Sequence, residues 1–197
     1  MTLKTICLAS SSQSRKKLFD EAHLNYEAIS ANIDEIYQDD SPEQFVLRLA
    51  QEKAEAVISK TRADVIVAAD SVAVFDSQIF GKPGNEAHAI EILSQLQGQK
   101  HQFITGMYLL NPQTRTSTHN ITKTEVFFSS LNQDQIQSYV SIFKPFSYAG
   151  GYSNAFSTWF MSRIQGSHSN LMGIPMVEFR HGLEKLGFQW FDFVKRF

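Results

Sequence analysis

Val65-Ile66-Val67-Ala68-Ala69-Asp70-Ser71-Val72-Ala73-Val74-Phe75 is the stretch on which the fold turns. A nearly unbroken apolar run of this length reads as a strand buried on both faces. One carboxylate, Asp70, stands inside it. A buried carboxylate without a partner is costly and would rather take a proton. Asp70 therefore needs a cation, a metal or a place at the rim. The competing reading is a turn between two hairpin strands.

Working toward the N-terminus, Leu3 to Ala9 reads as a short buried strand, ended by Ser10-Ser11-Ser12. A helix follows from about Ser14 to Glu21, with Leu18, Phe19 and Ala22 inward. A strand, a hydroxyl-rich turn and a helix aim backbone N–H groups at an anion, though an ordinary N-cap has the same appearance. The second helix is the clearest local signal. Ser41 is an N-cap, Pro42 suits the first helical position and Gln44 completes a capping box, so a helix is expected to about Ser59. Its apolar stripe includes Val46, Ala50 and Val57, and Lys53 falls in line with them at helical spacing. A lysine there either snorkels to the edge or meets an anion.

Downstream of the quoted stretch, Asp76-Ser77 makes a turn. Ile79-Phe80-Gly81-Lys82-Pro83 leads to a helix capped by Asn85 and reaching Leu96, with Ile90, Leu93 and Leu96 inward. His101–Asn111 and Thr118–Ser129 alternate as strands. Asn132 caps a helix to about Phe143. Residues 147–173 read as strands and loops, and Met176–Leu186 as a helix closed by Gly187. The tail from Phe188 carries so many aromatics that it is expected to dock on the body or on a second subunit. Alternating strands and helices make the chain α/β.

The 197 residues amount to about one domain. Eighteen basic and 20 acidic residues leave a formal charge of -2, so no basic field points to a nucleic acid polymer. The single cysteine, Cys7, excludes a disulfide framework and a four-cysteine zinc site. It reads as inert core, and the six histidines show no metal-ligand spacing. No apolar run approaches the ~20 residues of a membrane span. With no signal peptide legible, a cytoplasmic protein is expected. P-loop, dinucleotide and zinc-peptidase signatures are absent.

The residues that do not fit a plain core are Ser10, Ser12, Arg15, Glu35, Lys53, Asp70 and Lys82. A nucleoside triphosphate carries about four negative charges, and its cleavage spreads further charge over its oxygens. Such a substrate calls for Arg and Lys clamps, hydroxyl and N–H donors, and a divalent ion held by carboxylates. The set contains those parts. That they converge in space is an assumption at this point.

The same residues lie in blocks that resemble the Maf-type nucleoside triphosphate pyrophosphatases along nearly the whole chain. Leu8-Ala9-Ser10-Ser11-Ser12-Gln13-Ser14-Arg15 stands where that family has LAS-x-SP-x-R, and Asp34-Glu35 stands at its acidic pair. Arg48-Leu49-Ala50-Gln51-Glu52-Lys53-Ala54 matches its R-L-A-x-x-K-A helix, and Ala69-Asp70-Ser71-Val72 its central strand. Gly81-Lys82-Pro83, Thr105-Gly106, Tyr148-Ala149-Gly150-Gly151-Tyr152 and Asn170-Leu171-Met172-Gly173-Ile174-Pro175 match later blocks.

The resemblance implies an elongated mixed sheet flanked by helices, of the inosine-triphosphatase type. It implies one domain over residues 1–197, with two lobes around a central cleft, and often a homodimer. The implied reaction converts a nucleoside triphosphate, modified or pyrimidine, to the monophosphate and pyrophosphate with Mg²⁺ or Mn²⁺. Asp70 would activate water. Ser10, Ser12, Arg15, Lys53 and Lys82 would hold the phosphates, and Glu35 with Asp70 the metal. Gln13 stands in place of the family proline. Base choice falls to Ser14, Ser71 and Asn154, three positions that depart together from the family pattern. The helix around Lys53 and the Gly81-Lys82-Pro83 block are worded somewhat closer to the 7-methyl-GTP group. Tyr148, Tyr152, Phe156 and Trp159 are candidates either to stack a base or to fill the core. The rival reading is a non-catalytic nucleotide-binding regulator descended from the same family.

Overall fold

The computed structural model describes residues 3–38, 40–153 and 157–196. Its frame is a sheet with strand order β2-β1-β3-β5-β6-β7, with β4 paired to β3. The strands are β1 (Ile6–Leu8), β2 (Tyr26–Ala28), β3 (Val65–Phe75), β4 (Gln78–Phe80), β5 (Lys100–Leu110), β6 (Ser117–Phe128) and β7 (Met161–Gln165). β1 runs parallel to β2 and to β3, and the remaining pairs are antiparallel. The helices are α1 (Gln13–Glu21), α2 (Pro42–Glu55), α3 (Glu86–Leu96), α4 (Gln133–Phe143) and α5 (Met176–Lys185).

β3 is one continuous strand through Asp70, which removes the hairpin-turn reading. Its two faces follow from the period of two. Val65, Val67 and Ala69 enter a cluster with Phe19 of α1, Phe179 and Leu183 of α5 and Phe193 of the tail. Ile66 and Ala68 enter the opposite cluster with Ala50 and Ala54 of α2. Asp70 shares the parity of Ile66 and Ala68, so it faces α2. Ser71 takes the other parity and faces α1.

The edges of β3 explain where a site can form. One edge is paired with β5 over Ile66–Val74. The other is paired with β1 only up to Val67 and with β4 only from Ala73. Between them, among the described residues, Ala68–Val72 meet no strand on that edge. Asp70 and Ser71 sit in this notch, between the end of β1 and the start of the loop after β4.

The caps that the sequence spells out are present. Ser41 and Gln44 exchange both bonds of a capping box, as do Asn132 and Gln135, and Asn85 caps α3. α2 ends at Glu55 rather than Ser59, because the last residues tighten into a 3₁₀ turn at Ile58–Lys60. β1 is shorter than expected, with Thr5 bonded instead to the Asp64 carboxylate at 2.8 Å. On α3 the buried face is Ala89, Ile92, Leu93 and Leu96, and Ile90 is only partly covered. Only one strand, β7, lies within 147–173 among the described residues. The tail docks on the body of its own chain: Phe193 is fully buried, its carbonyl accepts from Asn25 N–H at 2.7 Å, and Val194 bridges Leu24.

His101 is a core histidine, 2% exposed. Its Nε2 meets the Tyr152 hydroxyl at 2.8 Å, and Nδ1 has no hydrogen-bond partner among the described residues. Burial lowers its pKa from 6.5 to about 4. The unfolded imidazole takes its proton first as pH falls, so this stabilisation is complete above pH 6.5 and is lost between 6.5 and about 4. At ~1.4 kcal/mol per pKa unit, the loss is on the order of 3 kcal/mol. The urea midpoint of the wild type is expected to fall across that window, and that of His101→Gln to fall by clearly less. Parallel slopes for the two proteins would remove His101 as the cause.

Candidate active site

The groups that reach the notch arrive from element ends, from a packed helix face and, for Glu35, from the loop between β2 and α2. β1 ends at Leu8, and the chain turns through Ser10 to Ser12, whose hydroxyl caps α1 by accepting from the Arg15 N–H at 3.5 Å. Arg15 follows on the first turn and is 9% exposed. Its Nη1 donates to Ser10 Oγ at 3.2 Å, its Nη2 to Ser71 Oγ at 3.2 Å and its Nε to the Gly173 carbonyl at 3.0 Å. Ser71 Oγ also meets Thr105 Oγ1 at 2.9 Å. These partners are neutral, so they orient the guanidinium without cancelling its charge. Burial lowers the Arg15 pKa, and the charges of Asp70 and Glu35 oppose that shift. Gly173 is required here twice over. Its φ is +88°, and a Cβ would lie 2.7 Å from Arg15 Nε.

From the other face α2 delivers Lys53, 8% exposed. Its Nζ lies 2.5 Å from Asp70 Oδ1 and 2.6 Å from Glu35 Oε1. The lysine on the apolar stripe thus meets anions and does not snorkel. Lys82, two residues past β4, reaches Glu35 Oε2 at 3.5 Å with its side chain half exposed. Burial alone would raise the Glu35 pKa, but Lys53 and Lys82 outweigh it and hold the carboxyl below its usual range. Three cations stand against two carboxylates, which leaves a net positive cluster at a cleft of about 470 Å³. That size lies in the range of small-molecule sites.

Ser10, Ser12, Ser14, Arg15, Glu35, Lys53, Asp70, Ser71 and Lys82 all line this one cleft. Ser71 is placed against Arg15 and Thr105, on the side of the charged cluster. Asn154 and Phe156 lie outside the described residues. Of the aromatic candidates, Tyr148 is half-buried and lines the cleft. Tyr152 also lines the cleft, but it is only 3% exposed and turns its hydroxyl to His101. Trp159 is 82% exposed and is no part of the lining. Three contributors stood in the sequence only as parts of family-like blocks, with no role given to them: the Gly173 carbonyl, Thr105 and Gly106. The last two lie directly opposite Ser71 and Asp70 in the β3–β5 register, a signal visible only once that pairing is known.

Cys7 is buried in β1, and burial pushes its thiol up to about 11. It is therefore no nucleophile.

The fold is shared with the Staphylococcus aureus Ham1 protein, which superposes with a TM-score of 0.52 at 16% identity, over 93% of this chain and 100% of that one. In sequence, the chain is 35% identical to a dTTP/UTP pyrophosphatase of Geobacillus sp. (strain WCH70), covering 94% of this chain and 100% of the relative. It is 36% identical to a 7-methyl-GTP pyrophosphatase of Idiomarina loihiensis, covering 90% and 91% of the two. The model of the Maf-like protein family matches residues 5–186, and with relatives this similar along nearly their full lengths the chain belongs to that family.

Proposed function

We propose that the protein hydrolyses a nucleoside triphosphate, modified or pyrimidine, to its monophosphate and pyrophosphate. The observation that carries this reading is the contact of Lys53 with both Asp70 and Glu35, with Arg15 and Lys82 at the same cleft. A relative of each base class supports it, since both are named pyrophosphatases. In the reaction, water attacks phosphorus, the bond between the α- and β-phosphates breaks, and pyrophosphate leaves. Asp70 takes the proton from the water. Arg15, Lys53 and Lys82 hold the phosphate oxygens, with Ser10 and Ser12 as hydroxyl donors, and offset the charge that builds on them.

Glu35 and Asp70 offer the oxygen donors that Mg²⁺ or Mn²⁺ prefers. Both already share one cation, the Lys53 ammonium, so the place between them favours positive charge. Among the described residues no group of three or more carboxylate, histidine or cysteine side chains is placed to hold a metal. Phosphates and water would complete the shell, as is usual for Mg²⁺. The ion would neutralise phosphate charge.

Ser14, Ser71 and Asn154 are the proposed determinants of base choice, and a homodimer working in the cytoplasm belongs to the same proposal. Incubation with dTTP, UTP, 7-methyl-GTP and the standard nucleotides plus Mg²⁺ or Mn²⁺ is expected to release one pyrophosphate per monophosphate from at least one of them. Binding by calorimetry with no release from any would favour the non-catalytic reading.

A further inference from the structure

Glu35 reaches the cleft from a loop with little of its own to hold it. Between β2 and α2 the described residues form neither strand nor helix. Ala31 and Ile33 pack inward, but Ile36 and Tyr37 are 60% and 54% exposed. Asn32 has a φ of +47°, an uncommon conformation for a residue with a side chain. Such a loop opens readily unless something ties it down.

Arg48 of α2 ties it. Its Nη2 donates to the Ile36 carbonyl at 2.9 Å, one residue beyond Glu35. Its Nε and Nη2 converge on Asp40 Oδ2 at 3.0 and 2.5 Å, and its Nη1 meets Glu52 at 3.1 Å. The guanidinium lies over the Phe45 ring, 5.6 Å from its centroid. The Tyr37 ring packs edge-on against the same Phe45, and its hydroxyl donates to the Asp40 carbonyl at 2.9 Å. Lys53 lies five residues further along α2. One helix therefore grips the loop twice, at the Glu35 carboxylate through Lys53 and at the backbone beside it through Arg48. A lysine at position 48 could not replace this, since it lacks the planar array of N–H groups.

We infer that Arg48 is a positioning residue that holds Glu35 at the cleft, and through Glu35 sets the affinity for the divalent ion. This rests on the proposed function, for which Glu35 is one of the two metal carboxylates. Arg48 itself lies outside the charged cluster and is not among the residues that line the cleft.

The test uses the full chain and two readouts. The first needs no activity: chymotrypsin cleaves after Tyr37 only when the loop opens. Cleavage is expected to run about tenfold faster in Arg48→Ala and in Asp40→Asn, which cuts the same tie from the loop side, with Arg48→Lys close to Arg48→Ala. The second is the Mg²⁺ concentration for half-maximal pyrophosphate release, expected to rise about tenfold in Arg48→Ala with kcat reduced less. In a Glu35→Gln background, Arg48→Ala should then change that concentration less than twofold, because both act through one group. Unchanged cleavage in both Arg48→Ala and Asp40→Asn, or effects of Arg48 and Glu35 that simply multiply, overturns the inference. A wild type that cleaves no nucleotide overturns the proposed function instead, and the protease readout still decides the role of Arg48.

Discussion

Asp70→Asn is expected to lower kcat for pyrophosphate release by about 10²–10⁴-fold, the usual contribution of a positioned proton acceptor. An amide of the same shape cannot take the proton from water, while the hydrogen-bond position beside Lys53 stays filled. Nucleotide binding should persist or tighten. The substitution removes one negative charge from a cleft in which three cations face two carboxylates, and the incoming ligand is an anion. The fold should survive, because Lys53 keeps Glu35 at 2.6 Å and is not left as a lone buried charge. Saturating steady-state kinetics and calorimetric binding of the same nucleotide separate the two effects. A variant that keeps more than a tenth of wild-type turnover removes Asp70 from the role of base.

The two charges at the heart of that prediction were each conspicuous in the sequence, and their meeting was not. Lys53 stands out because the apolar stripe of α2 runs through it, and Asp70 because an apolar strand runs through it. Burial makes each need a partner. Nothing local says that each is the other's partner, since their contact depends on how α2 lies over β3. The parity of β3 supplies that step once the strand is known to be unbroken: residues 66, 68 and 70 share the face covered by α2. What is encoded in a few neighbouring residues was legible in the same way. The capping box at Ser41 and the cap at Asn132 need only three or four residues, and both formed as spelled, Asn132 adding a box with Gln135.

The features that escaped are those made by distant backbone. β2 is three residues long and exists because Ile6–Leu8 pair with it, so no alternation marks it. Arg15 takes its orientation from the carbonyl of Gly173, 158 residues away. The aromatics near residue 150 carried no signal that would separate the half-buried Tyr148 from the buried Tyr152 or the exposed Trp159. Their identities are alike, and their burial is set by the surrounding fold rather than by their neighbours in sequence. A family resemblance brought the charged residues into one expectation of a cleft, but the notch that holds them follows from register. Along β3 the pairing with β1 ends at Val67 and that with β4 begins at Ala73, and the gap between is where a polar group can lie within a sheet without breaking a ladder bond.

Gly106 is where that geometry is most exposed to a single added atom. It pairs with Asp70 across the β3–β5 ladder, and α2 crosses directly over it. A Cβ at position 106 would stand 2.6 Å from Leu47 N and from Val46 C, both of them helix backbone. Real contacts of that kind do not occur, so α2 must lift from β5. Helix backbone cannot turn aside as a side chain can, and the contrast with Gly182 shows the difference: there the added atom meets Leu109 Cδ2 at 2.9 Å, the far end of a flexible side chain. Gly106→Ala is therefore expected to destabilise by about 3 kcal/mol, at the upper end for overpacked cores, and Gly182→Ala by clearly less. Lys53 lies two helical turns along from Val46, so the lifted helix also carries its ammonium away from Asp70 and Glu35. Displacements of about 1 Å at such a site cost on the order of 10²-fold in rate. Urea unfolding of both variants, with pyrophosphate release measured under conditions where each is fully folded, checks the two effects separately. A Gly106→Ala protein with wild-type stability and turnover would mean that α2 does not rest on this strand, and that the placement of Lys53 over Asp70 has some other support.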